Sequence, residues 1–370
     1  MALTNVRSDL LSQIGLQPPF AFDLMRRDEV SRTPNGQSIT TELGWPLWKL
    51  AFTTSERNFG DVVRQQAILN HLASVGNLFY AHDVRRPFPG AYPSGFDLAN
   101  PIYNPEFEDG LTGWVVSADC QITNDGRGGS KCVQLDKLLA SGGSDRRVQN
   151  DAGFYVNVTA NEPYDFSVYI KSNVETTTGI RLAVNFYDVS GTYISQSGNS
   201  ATAATPDYVQ KVRRVTTPPN AALAQVIVAL TASASCRYLY VDSISYLPTY
   251  AGFSGVAKIH TLDANNKSLR LKNTISGYKV SVGDYLAFNY GGGRRALHQA
   301  LEDVVADSNG TTPFFDVMPF IRPGAAVDAN VDLVKATALF RMDPGSLQSQ
   351  LATKMSGNHS FSATQFVGQP

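Results

Sequence analysis

Apolar and polar positions alternate with a period of two along most of this chain, and the character of the pattern changes near residues 101 and 249. In residues 45–52, Trp-Pro-Leu-Trp-Lys-Leu-Ala-Phe, the apolar residues alternate as in a half-buried strand. Thr53-Thr-Ser-Glu56 follows with the spacing of a capping box, the Glu three residues after Thr53. Phe59, Val62, Val63, Leu69, Leu72 and Ala73 then recur at helical spacing as far as Gly76, predicting a helix over roughly 55–75. Residues 78–84 read as another strand, closed by a Pro-rich loop over 86–95.

From 101 to 248 helical periodicity almost vanishes. Tyr164, Phe166, Val168 and Ile170 share one face of a strand, and so do Ile180, Leu182, Val184 and Phe186. Val226, Val228 and Leu230 form a third set, and residues 238–244 a fourth. Gly, Asn, Ser and Pro clusters at 125–129, 190–191 and 217–220 separate them, which is the signature of a β-sandwich. After 249 the mixed pattern returns. Strands are predicted at 268–272, 285–290, 314–319 and 326–334, with a turn at 282–285 and a hairpin at 289–294. Neither flank is complete alone. Residues 1–100 and 249–370 are therefore read as one discontinuous β-rich domain, interrupted by an inserted sandwich over 101–248. The C-terminal run from Gly357 is either a last strand of this domain or an arm toward a neighbouring subunit.

Charge removes several functions. Lys and Arg number 31 against 32 Asp and Glu, a net charge of −1, so no positive field exists to hold nucleic acid or an anionic membrane. The most apolar stretch, 221–234, is too short to span a bilayer and is broken by Gln225. The first ten residues lack the basic and apolar regions of an export signal. Cys120, Cys132 and Cys236 are odd in number and lack CxxC spacing, and the five histidines form no HxxxH or HExxH. These features point to synthesis in a reducing cytoplasm, to cysteines that act as small buried hydrophobes, and against a zinc enzyme.

No catalytic pattern emerges. GxSxG is absent, and Gly252-Phe-Ser-Gly has its serine one place short. His82, Asp83 and His298 have no evident partners. Gly291-Gly-Gly-Arg-Arg lacks the GxxxxGK[ST] of a phosphate loop and reads as a flexible turn. The chain is not expected to be an enzyme.

Two resemblances bear on function. The interrupting module opens Asn104-Pro-Glu-Phe107-Glu108-Asp-Gly110-Leu-Thr-Gly-Trp114 and closes Arg237-Tyr-Leu-Tyr-Val-Asp242-Ser-Ile. In this it resembles the carbohydrate-binding jelly rolls of the CBM4/9-like type. That resemblance implies a jelly-roll β-sandwich and a calcium ion where the opening Glu meets the closing Asp, here Glu108 and Asp242. Carboxylates suit calcium, though two do not make a full shell. Aromatic side chains that stack on sugar faces would be Trp114, Tyr187, Tyr193 and Tyr208. For Trp114, packing into the core is the stronger reading, and each Tyr competes with ordinary strand filling.

The flanking domain resembles the distal tail proteins of long-tailed bacteriophages. The resemblance rests on Gly283-Asp284-Tyr285, on Ala306-Asp307-Ser-Asn-Gly310 and on Pro319-Phe-Ile-Arg322, with support from Trp48-Lys-Leu-Ala-Phe-Thr-Thr. In that family these segments make a turn and strands of a small β-barrel-like unit. The segment 291–300 departs from the family pattern, with a longer turn or helix expected where a short hairpin is usual. The resemblance implies a structural virion protein: a hexameric ring at the tail tip, between the tail tube protein and the baseplate hub protein. The sandwich would face outward toward host-surface polysaccharide, although such modules in virion proteins have often lost ligand binding. Neither sequence-specific nucleic-acid binding nor membrane insertion is expected. The alternatives are a stand-alone glycan-binding protein and a carbohydrate-active enzyme with its binding module.

Overall fold

The computed structural model describes residues 6–7, 10–55, 57–118, 120–137, 145–174, 177–351 and 356–368. The fold is mainly β, as the alternation predicts, with 50% of the chain in strands and 7% in helix. Two compact units are present: Met1–Asp97 with Gly252–Pro370, and Leu98–Ala251.

The unit Leu98–Ala251 is a sandwich of two antiparallel sheets. One runs in the order Tyr193–Ala204, Thr177–Tyr187, Leu223–Leu230, Arg146–Asn150, Trp114–Val116, with Val156–Asn157 also paired to Leu223–Leu230. The other runs Val209–Thr216, Pro163–Ser172, Tyr238–Pro248, Cys132–Asp136, Cys120–Thr123. Tyr164, Phe166, Val168 and Ile170 meet Ile180, Leu182, Val184 and Phe186 in one core with Val226, Val228 and Leu230. Each such side chain stabilises the fold by about 1.5–3 kcal/mol through its removal from water. The fourth predicted set departs from simple alternation. Leu239 and Val241 point inward, but so do Ile244 and Tyr246. Between them the strand gains a residue against its partner: Ser167 pairs with Ser245 and Tyr169 with Asp242, and Ser243 takes a positive φ of 48°. This bulge shifts the inward parity from odd to even positions, so that Ile244 and Tyr246 join the core.

Within the other unit, a sheet is ordered Val6–Arg7, Leu78–Ala81, Ala338–Met342, Ser356–Gln365, Ser38–Thr54, Leu16–Arg32. The run beginning near Gly357 is thus a strand inside the sheet, buried at alternate positions. A closed barrel follows, ordered Val256–Leu262, Ser268–Lys272, Phe315–Met318, Arg294–Ala300, Tyr285–Tyr290, Asn330–Asp332. Phe22, Trp48, Phe79, Phe340 and Phe361 of the sheet share a core with Tyr285 and Leu297 of the barrel. Trp48 Nε1 donates to the Leu297 carbonyl at 2.8 Å.

Several local expectations change. The helix is Phe59–Ala73, and its cap is Asn58, whose side chain accepts from the Asp61 amide. Thr54 is instead the end of a strand, its hydroxyl accepting from the His359 amide at 2.9 Å, and Glu56 lies outside the described residues. Gly291, Gly292 and Gly293 all take positive φ and close a tight hairpin, so residues 294–300 are a strand and neither a long turn nor a helix. The Phe315–Met318 strand stops before Pro319-Phe-Ile-Arg322, which runs on as irregular chain because its proline lacks a donor for the ladder.

Candidate functional site

The sandwich presents two outer faces, and they differ in how their aromatic rings are engaged. On the sheet containing Pro163–Ser172, the chain's own cations cover the rings. The Arg127 guanidinium lies 4.1 Å from the Tyr169 centroid, and the Arg237 guanidinium lies 4.5 Å from that of Tyr238. Lys171 Nζ sits between Tyr208 and Tyr240 at 5.0 and 4.7 Å. Tyr208 also donates to the Asp125 carbonyl at 2.9 Å, and burial raises its phenol well above the usual range.

The face of the sheet containing Thr177–Tyr187 is arranged differently. Because Leu182, Val184 and Phe186 point into the core, Arg181, Ala183, Asn185 and Tyr187 point outward. Leu223–Leu230 is the central strand and is buried on both sides, so Ile227 and Ala229 join Ala183 as an apolar floor. Beside this floor runs a line of amides. Asn185 Nδ2 donates to Gln225 Oε1 at 3.0 Å, and Gln196 Nε2 donates to Asn185 Oδ1 at 2.7 Å. Gln225 Nε2 in turn donates to the Asn150 carbonyl, which fixes which way the Gln225 amide points.

Three tyrosines close one end of this line. Tyr187 donates to Gln225 Oε1 at 3.1 Å and stacks on Tyr155 with centroids 4.6 Å apart. Tyr193 stands opposite Tyr187 in register, edge-on at 5.8 Å, and is 55% exposed. The turn between them is held by Asp188, whose Oδ1 accepts from the amides of Ser190 and Thr192. The Ser190 hydroxyl and those amides hold the Asp188 carboxyl below its ordinary value. Tyr155 is carried into place by the turn Ala152–Phe154, which Asn150 Nδ2 anchors through the Phe154 carbonyl. Burial and a hydrogen bond with Tyr187 push the Tyr155 phenol up to about 12, so it stays protonated.

The structure therefore brings Tyr187 and Tyr193 together and leaves the other two predicted platforms elsewhere. Trp114 is 6% exposed, packs on Phe107 at 5.0 Å and donates Nε1 to the Asn104 carbonyl at 2.9 Å. Its ring has no face to offer a sugar. Tyr208 lies just before the strand Val209–Thr216 of the opposite sheet. Sequence reasoning missed Tyr155, Asn185, Gln196 and Gln225. A signal was present: Gln225 interrupts the most apolar stretch of the chain, on the opposite parity from Val226 and Val228.

Glu108 and Asp242 both hold the loop 126–131. Asp242 is buried; one oxygen accepts from the Arg127 amide at 2.8 Å and the other from the Ser243 amide at 2.7 Å. Glu108 Oε1 accepts from the Lys131 amide at 2.7 Å, and the Lys131 ammonium lies 2.7 Å from the Glu108 carbonyl. Those oxygens face donors and a fixed cation, an arrangement that does not fit a calcium shell. Among the described residues no group of three or more His, Cys, Asp or Glu is placed to hold a metal ion. The three cysteines form no disulfide; Cys120 pairs in register with Leu135 and Cys132 with Thr123.

Comparison with known proteins adds to this geometry. No curated protein matches the sequence. Similar solved structures include the C-terminal family 22 carbohydrate-binding module of Clostridium thermocellum Xyn10B, 17% identical, covering 42% of this chain and 97% of that one, with a TM-score of 0.32. The CBM22-1–GH10 modules of xylanase 10B from the same organism are 15% identical, over 43% of this chain and 30% of that one, at 0.32. The enzymatically active domain of bacteriophage CBA120 tailspike protein 4 is 14% identical, over 40% of this chain and 21% of that one, at 0.33. The chain thus spans about a fifth of the length of that tailspike domain. The CBM_4_9 carbohydrate binding domain family matches residues 99–235, so the sandwich carries a carbohydrate-binding domain.

Proposed function

We propose that this chain is a non-catalytic glycan-binding protein whose sandwich grips a polysaccharide along the outer face of the Thr177–Tyr187 sheet. The observation that carries this reading is the contrast between the two faces. Sugar C–H surfaces need an uncovered ring, and amides in register with the strand match successive hydroxyl groups. Tyr193, Tyr187, Asn185 and Gln196 supply both on one face, with the buried Gln225 holding Asn185 and Tyr187 in place, while cations occupy the rings of the other. A glycan array probed with the full-length protein tests this. Binding of at least one polysaccharide class, lost in Tyr187→Ala, is expected; an array without signal, even with the protein clustered on beads to gain avidity, overturns it.

A second, finer reading concerns the other unit. We propose that it assembles as the distal tail ring of a long-tailed phage, between tail tube and baseplate hub, and that it carries the sandwich to the host surface in the virion. Support comes from the segments behind the resemblance. Gly283-Asp284-Tyr285 leads into a strand of the closed barrel, and Asp307 closes a turn bonded to residues 274 and 277, accepting from the amides of Asn309 and Thr311. Light scattering of the purified protein should give six times 40.1 kDa, about 240 kDa. A monomer, both free and on isolated tails, overturns the ring while leaving the glycan reading in place.

A further inference from the structure

Resting on the glycan reading above, we infer that the ligand of this face is an anionic polysaccharide, with its acidic substituent seated between Arg181 and Arg147 at the end remote from the tyrosines. The register places these two arginines in one row. Arg181 pairs with Ala229, and Ala229 pairs with Arg147 on its other side. Val148 points into the core, so Arg147 projects outward on the same face as Arg181. Ala229, fully buried, is the residue between them in the row. Neighbouring strands are about 4.8 Å apart, so the two Cα atoms stand roughly 10 Å from each other, a span two guanidinium groups can close around one anion.

The charges in this row are not balanced. Among the described residues Arg181 has one acidic partner, Asp145, at 3.4 Å, and Asp145 Oδ1 also accepts from the Ala232 amide. The Arg181 Nε–H is buried without an acceptor in the protein, which leaves it to water or a ligand. Arg147 is exposed and has no acidic partner among the described residues. The opposite end carries Asp151, whose charge is felt by Tyr155, and Asp188. The face is thus polarised along the strand, cationic at residue 181 and acidic beyond residue 187. Six residues at about 3.3 Å each give roughly 20 Å between the two ends, room for an oligosaccharide rather than a single sugar. Guanidinium forks recognise carboxylate, sulfate and phosphate groups alike, so the inference is to the anionic class.

The test is affinity electrophoresis and calorimetry of the full-length protein with polygalacturonate, dextran sulfate and neutral arabinoxylan. Polygalacturonate or dextran sulfate should bind about tenfold or more tighter than arabinoxylan at low salt, the worth of one charge-assisted hydrogen bond. The preference should shrink as salt rises. Arg147→Gln and Arg181→Gln should each remove the preference and spare neutral binding, whereas Tyr187→Ala should weaken both. Arg147 is exposed, so its variant alone decides the matter where the Arg181 variant does not fold. Arabinoxylan bound as tightly as the acidic polymers, or acidic binding unchanged in Arg147→Gln, overturns the inference and leaves the glycan reading intact. No binding to any of the three, with an empty glycan array, removes both.

Discussion

At the scale of single residues, burial decides roles that residue type leaves open. Trp114 is offered by the sequence as core first and as sugar platform second, and the fold makes it a core residue, with its indole N–H satisfied inside. Trp114→Ala should therefore cost about 3–5 kcal/mol of stability. Tyr193→Ala should cost little stability and act on glycan affinity; chemical denaturation beside the binding assay separates the two. His298 shows the same principle in its protonation. Its Nδ1 lies 2.6 Å from the Pro319 carbonyl, which can only accept, so Nδ1 carries the proton and Nε2 is bare and buried. Burial lowers this imidazole from an ordinary 6.5 to about 4. The unfolded chain then takes up a proton that the folded chain refuses. Stability from this group is full above pH 6.5 and is lost as pH falls toward 4, by roughly 3 kcal/mol. Urea unfolding at pH 7 and pH 5 should show the loss, and His298→Gln should flatten it. None of this is legible in sequence, where His298 is one histidine among five.

At the scale of elements, strands that alternate cleanly were legible and their exceptions were not. The inward sets at 164–170, 180–186 and 226–230 follow directly from the period. The bulge at Ser243 does not, because the extra residue appears only against a partner strand. Beside the bulge, Asp242 accepts from the Arg127 amide of the loop 126–131 and from the Ser243 amide of the bulge itself. Asp242→Ala should cost about 1–3 kcal/mol by stranding those donors, and chelators should leave the melting temperature unchanged. A fall in melting temperature with a chelator, reversed by calcium, would contradict this account of the loop. The capping box failed for a related reason. Thr53 and Thr54 belong to a long strand whose pairing with Ser356–Gln365 outweighs a local cap. Gly310 is the clearest case of a backbone demand. It has φ +71°, and a Cβ there would overlap the Thr274 carbonyl oxygen. Gly310→Ala should destabilise the barrel unit, and hydrogen exchange should place the effect in residues near 274 and 307.

At the scale of the whole molecule, the mainly β fold and the carbohydrate-binding domain were both within reach of the sequence, because alternation and the opening and closing motifs span the module. The site was half legible. Tyr187 and Tyr193 meet across one turn, whereas the amides beside them converge only once four strands are aligned by register. The central claim is that the working face is the one carrying Tyr187 and not its opposite. The most direct test is to measure the affinity of the best array glycan for three proteins by calorimetry: wild type, Tyr187→Ala with Tyr193→Ala, and Tyr240→Ala on the opposite sheet. The account predicts that the first pair of changes abolishes binding and that Tyr240→Ala leaves it unaltered. Binding that survives the double change and disappears in Tyr240→Ala would contradict it.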